Sequence, residues 1–159
     1  MNKSEQIVSI LREKGLKLAI AESLTGGAVC AAIVAIPGAS HILDEAMVTY
    51  SNAAKTARLG VKPATLAAHG AVSPETAAQM ARGIADTAGA QIGLATTGIA
   101  GPDGATAEKP VGLVFIAAHF NGKTTTKKLT LVGNRAEIIA QTTDNSLDLL
   151  LAILCGKMD

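Results

Sequence analysis

Lys17-Leu18-Ala19-Ile20-Ala21-Glu22-Ser23-Leu24-Thr25-Gly26-Gly27 reads as a short apolar strand that runs into a polar, glycine-bearing turn and then a helix. Strand, turn and helix in that order are the unit of an α/β protein. In such folds ligands bind beyond the carboxyl ends of the strands, where the first turn of the next helix offers unpaired N–H groups to an anion. Ser23 stands at that junction. A serine there can be a helix cap and nothing more, so its meaning depends on what the rest of the chain brings to it.

Upstream, Ser4 is placed to cap a first helix with Ile7, Ile10 and Leu11 on one face, and Gly15 follows Lys14 as a left-handed cap. The strand itself is expected over residues 16–22. Downstream, residues 27–35 are small, apolar and uncharged, which predicts a helix covered on several sides and stopped at Pro37-Gly38. A broken alternation over residues 43–50 predicts a second strand, after which Ser51 or Asn52 caps a short helix ending before Gly60. Lys62-Pro63 opens another short helical piece through Ala68. Val72-Ser73-Pro74-Glu75 combines a capping serine, proline at the first helical position and a glutamate that suits the helix dipole; that helix should reach about Thr87 and end at Gly89.

Residues 92–95 predict a strand leading into Thr96-Thr97-Gly98-Ile99-Ala100-Gly101-Pro102-Asp103-Gly104, a second glycine-rich loop after a strand. Residues 111–120 and 123–132 predict two more strands, joined by Asn121-Gly122, the pair that favours a type I′ hairpin turn. Asn134-Arg135-Ala136-Glu137 has capping-box spacing and opens a last helix whose Ile138, Ile139, Leu147, Leu150, Leu151 and Leu154 supply core surface. Alternating elements with one antiparallel hairpin predict a three-layer α/β/α sandwich around a mixed, mostly parallel sheet of about five strands, with both glycine-rich turns at one sheet end.

The 159 residues suffice for one domain with a real core. Hydrophobic residues make up 48%, yet Gly, Thr and charges interrupt every apolar run before the roughly 20 residues that span a bilayer, so no membrane partner is expected. The opening residues lack the apolar core of a signal peptide, which predicts a cytoplasmic protein. A net charge of +1, with only one Tyr, two Phe and no Trp, argues against a nucleic-acid surface. Few aromatics among abundant Ala and Gly predict helices packed closely on the sheet. Cys30 and Cys155, each in apolar helical context, predict buried free thiols.

A serine hydroxyl is a poor nucleophile near neutral pH unless a neighbouring base takes its proton. His41, His69 and His119 are candidates by type, but His119 alternates within a strand and His69 adjoins a turn, so these two read more readily as structural or exposed, and none of the three has the spacing of a metal site. Lysine remains. In Tyr50-Ser51-Asn52-Ala53-Ala54-Lys55 a strand end and a helix start bring a phenol, an amide and an amine together; alone, this is equally the pattern of a packed tyrosine and a solvated lysine.

Five blocks taken together narrow the reading: Ala21-Glu22-Ser23-Leu24-Thr25-Gly26-Gly27, Tyr50 to Lys55, Gly70-Ala71-Val72-Ser73, Thr97-Gly98-Ile99-Ala100-Gly101-Pro102 and Lys109-Pro110-Val111-Gly112. In order and spacing they resemble the CinA carboxy-terminal domain family, the nicotinamide-nucleotide amidohydrolases, over nearly the whole chain. Longer members carry a further amino-terminal domain. The resemblance implies hydrolysis of the carboxamide of nicotinamide mononucleotide to nicotinate mononucleotide and ammonia, with no cofactor. Ser23 would be the nucleophile, Lys55 its base and Tyr50 a hydroxyl assisting proton transfer. The N–H groups of Thr25, Gly26 and Gly27 would meet the oxyanion, with Asn52 close by as a substrate contact. Thr97, Gly98, Ala100, Gly101 and Gly104 would receive the ribose and phosphate, because glycines let backbone N–H groups approach an anion. Arg135 is a further phosphate ligand. Ala105 departs from the family pattern, which commonly has a glycine after Gly104. Two other readings stay open: a nucleotide-binding or regulatory module without turnover, and an amidase for another small carboxamide. An Ala-rich, uncharged helix on the surface would favour a homo-oligomer.

Overall fold

Alternation along β1 (Leu18–Glu22) assigns two faces to the sheet: Leu18 and Ile20 enter one core, Ala19 and Ala21 the other. The computed structural model describes residues 1–157 and orders five strands as β2-β1-β3-β4-β5, with β2 (Leu43–Val48), β3 (Ile92–Gly98), β4 (Leu113–Phe120) and β5 (Lys123–Thr130). β1 pairs in parallel with β2 and β3, and β4 pairs antiparallel with β3 and β5. Four strands therefore point the same way and β4 opposes them, in a mixed sheet with helices on both faces. The first face carries α1 (Lys3–Lys14), α2 (Ala28–Val34) and α6 (Arg135–Leu154). The second carries α3 (Asn52–Leu59), α4 (Pro63–His69) and α5 (Pro74–Ala88).

The second face is paved with small residues. A Cβ on Gly93 would lie 1.9 Å from the Ala81 carbonyl oxygen, so the α5 backbone rests directly on β3, with Ala95 beside it and Ala117 on β4. Asn121 (φ 51°) and Gly122 (φ 73°) make the tight turn between β4 and β5.

Several boundaries differ from the sequence reading. Asn2, not Ser4, caps α1: its side chain accepts the Glu5 N–H while Glu5 returns to the Asn2 N–H, and Ser4 is buried inside the helix. Leu16 lies outside β1 because its N–H closes α1 onto the Leu11 carbonyl behind the left-handed Gly15. Likewise Tyr50 lies beyond β2, while Val111 and Val132 lie beyond β4 and β5. Thr96, Thr97 and Gly98 belong to β3 rather than to the loop, held by ladder pairing to Ile116, Phe115 and Val114. α2 is covered on one side only, where Val29 and Ile33 are buried and Cys30 and Ala32 partly so, and leaves Ala31 and Val34 exposed. Cys155 is exposed and Cys30 half-buried. Among the described residues no helix is long and apolar enough to cross a membrane.

Candidate active site

The three mutually parallel strands end on one side of the sheet, and the chain leaves each of them into the same cavity. Ser23 follows β1, Tyr50 follows β2 and leads into α3 with Lys55, and Thr97 and Gly98 close β3 and lead on into Ile99 to Gly101. β5 points in the same direction, so α6 begins there too and brings Arg135 to the rim. The cavity measures about 270 Å³.

At its floor, Lys55 Nζ lies 3.0 Å from Ser23 Oγ. The same nitrogen donates to the backbone carbonyls of Thr49 at 2.8 Å and Tyr50 at 3.2 Å. Lys55 is only 1% exposed. Burial disfavours the ammonium form and lowers its pKa from 10.5 to about 8. A neutral amine has two N–H bonds and one lone pair. With the two carbonyls taking the N–H bonds, the lone pair is left for the Ser23 hydroxyl proton. Among the described residues no histidine lines the cavity; His69 faces Glu75 across 3.7 Å, and His119 Nδ1 pairs with Thr124 Oγ1 at 2.7 Å.

The turn after β1 is held from behind. Thr25 and Thr96 share a hydroxyl–hydroxyl hydrogen bond of 2.8 Å, and Thr96 Oγ1 lies 3.4 Å from the Ser23 nitrogen. The Gly26 N–H donates to the Ser23 carbonyl and the Gly27 N–H to the Glu22 carboxylate, both within the protein. Thr25, Gly26, Gly27 and Asn52 do not line the cavity, whereas Leu24 does. The N–H groups of Leu24 and Thr25 find no acceptor among the described residues.

Opposite, Thr97 and Gly98 at the end of β3 and Ala100, Gly101 and Gly104 in the loop after it face the cavity. No acceptor among the described residues takes the N–H groups of Ala100, Gly101 or Gly104. Gly101 needs its missing side chain twice over: its φ is +76°, and a Cβ would lie 2.6 Å from Val111 Cγ1. Gly98 serves strand pairing, since a Cβ would meet Leu113 O at 2.8 Å. Arg135 Nη1 donates to the Gly101 carbonyl at 2.8 Å and Nη2 to the Tyr50 hydroxyl at 3.1 Å. No carboxylate among the described residues pairs with it. A cation in the first turn of a helix opposes the dipole, so helix stability does not explain Arg135.

Ala71, Val72, Ile99 and Asp103 also line the cavity without having been singled out. Ala71 and Val72 fall inside the Gly70 to Ser73 block, where Thr97 Oγ1 donates to the Ala71 carbonyl at 2.8 Å; two apolar residues carry no chemical signal of their own. Among the described residues no group of three or more His, Cys, Asp or Glu stands where it could hold a metal ion.

Fold and site together define a three-layer α/β/α protein with a buried serine–lysine pair beyond the carboxyl ends of its parallel strands. The profile of the family described as CinA C-terminal domain matches residues 1–154. The chain belongs to that family. A CinA-like protein of Kosmotoga olearia is 54% identical over 134 residues, covering 84% of this chain and 32% of that one. A putative competence-damage inducible protein of Caldanaerobacter subterraneus is 47% identical over 153 residues, covering 96% and 37%. The chain thus spans about a third of the length of these relatives. The crystal structure of competence/damage inducible protein CihA from Agrobacterium tumefaciens superposes with a TM-score of 0.92 at 40% identity, covering 95% of this chain and 93% of that one.

Proposed function

We propose that the chain is a serine amidohydrolase that converts nicotinamide mononucleotide to nicotinate mononucleotide and ammonia. The observation that carries this reading is the 3.0 Å contact between Lys55 Nζ and Ser23 Oγ, with both remaining contacts of the amine occupied by carbonyls. Ser23 Oγ attacks the carboxamide carbon as its proton passes to Lys55. The Leu24 N–H, which belongs to the residue after the nucleophile and has no acceptor among the described residues, meets the oxyanion. Collapse of the tetrahedral intermediate breaks the C–N bond, and the proton carried by Lys55 leaves with ammonia, assisted by the Tyr50 hydroxyl at the cavity wall. Water then adds to the acyl-enzyme as its proton passes to Lys55, and collapse of the second tetrahedral intermediate breaks the C–O bond, returns that proton from Lys55 to Ser23 Oγ and releases the carboxylate.

The nucleotide end of the substrate is assigned to the loop after β3 and to Arg135. The unpaired N–H groups of Ala100, Gly101 and Gly104, together with a guanidinium that has only neutral acceptors, suit a phosphate. Ammonia release from nicotinamide mononucleotide, its riboside and free nicotinamide tests the substrate. Ser23→Ala is expected to abolish release while nucleotide binding stays within a few-fold, because the hydroxyl is needed for bond formation and adds little ground-state affinity. Undiminished release by that variant removes Ser23 from the mechanism.

A further inference from the structure

Among the described residues Glu22 is the only acidic side chain in the interior, 1% exposed and without a cationic partner. A buried carboxylate is costly unless its oxygens are hydrogen-bonded. Here they are: Oε2 accepts from Gly27 at 3.0 Å and Val29 at 3.1 Å, and Oε1 accepts from Cys30 at 2.8 Å. Those are the N–H groups that α2 leaves unpaired at its start. Gly27, in the left-handed region, has no side chain with which to cap its own helix.

A serine or aspartate at the cap position would satisfy such a helix locally. Reaching back five residues does something a local cap cannot, because it ties together the two ends of the turn that begins with Ser23. The main chain of Glu22 holds the other partner. Its carbonyl accepts the Thr49 N–H at 2.9 Å, and the Thr49 carbonyl receives Lys55 Nζ at 2.8 Å. We propose that Glu22 is a positioning residue, which fixes the direction of Ser23 Oγ toward Lys55 without itself touching substrate. The proposal rests on the reading of Ser23 and Lys55 as nucleophile and base.

The test uses the full chain with Glu22→Gln, which removes the charge and one acceptor, and Glu22→Asp, which keeps the carboxylate one methylene short. Thermal melts report folding, a fluorophosphonate probe reports the rate of Ser23 labelling, and ammonia release from nicotinamide mononucleotide gives kcat and KM. A folded variant is expected to lose kcat and labelling rate together, by about 10²-fold as for a small misplacement of reacting groups, with KM within about twofold of the unaltered protein. Folded variants that keep both rates within about twofold overturn the proposal, as does a loss confined to KM. If neither variant folds, Glu22 serves the fold alone and the proposal falls. Failure of the underlying reading shows elsewhere, in the unaltered protein. If it labels at Ser23 but releases no ammonia, the substrate is wrong and Glu22 is judged by labelling; if Ser23 is inert to the probe, the pairing with Lys55 is wrong and the proposal goes with it.

Discussion

Lys55 is held where an ammonium is disfavoured, and both activity and stability must register that in their dependence on pH. With its pKa lowered to about 8, the neutral base accumulates as pH rises, so kcat/KM is expected to climb through about pH 8 and level off above it. A pH–rate profile checks this, and Lys55→Arg should be nearly as inactive as Lys55→Ala because a guanidinium does not deprotonate. Stability follows the same titration. Below about pH 8 the folded protein must carry the buried charge, whereas between about 8 and 10.5 it binds fewer protons than the unfolded chain and stability rises with pH. The lowering from 10.5 to about 8 corresponds to a penalty of about 3 kcal/mol at neutral pH. Lys55→Met is therefore expected to raise the denaturation midpoint at pH 7 while abolishing turnover, with the gain shrinking toward pH 10.5. A gain that does not change with pH would mean that charge burial is not its source.

The elements around the site differ in what a single added methyl does to them. On α5 and β3, Gly93→Ala drives a Cβ to 1.9 Å from the Ala81 carbonyl oxygen, where neither backbone can yield alone. A loss of about 3 kcal/mol is expected from denaturant melts. In the loop after β3, Gly101→Val meets both an unfavourable φ of +76° and the side chain of Val111, so the loop has to move although the core does not. There the expected effect is on binding: KM for nicotinamide mononucleotide should rise far more than KM for the riboside, because only the mononucleotide places a phosphate against the loop. Equal rises would show that the loop does not read the phosphate. Between α1 and α6, Lys3 pairs with Asp144 at 2.7 Å and Asp148 at 2.8 Å in a partly exposed setting. Lys3→Ala is expected to cost less than about 1 kcal/mol, and less still at high salt.

Across the whole molecule the layer architecture was legible because periodicity, caps and the Asn121-Gly122 turn are local signals. Ser23, Tyr50 and Lys55 were singled out through the resemblance of five blocks taken together, since the strand-end and helix-start motifs alone fit a cap, a packed tyrosine and a solvated lysine equally well. What escaped the sequence depends on contacts between distant segments. Thr96 to Gly98 read as loop because they open a run rich in glycine, yet pairing with β4 makes them strand. The Gly26 and Gly27 N–H groups read as open donors because nothing local shows that Ser23 and the reach-back of Glu22 already occupy them. α2 read as enclosed because it lacks charge, although it meets the core along one side and leaves Ala31 and Val34 exposed. The paving of one sheet face with Ala19, Ala21, Gly93, Ala95 and Ala117 also affects how a saturation screen for turnover would read. Larger residues there would push α5 off the strands whose ends carry Ser23 and Thr97, so these positions would score as intolerant alongside the cavity residues. Inactive variants from such a screen separate into chemistry and scaffold only when soluble, folded yield is counted beside product.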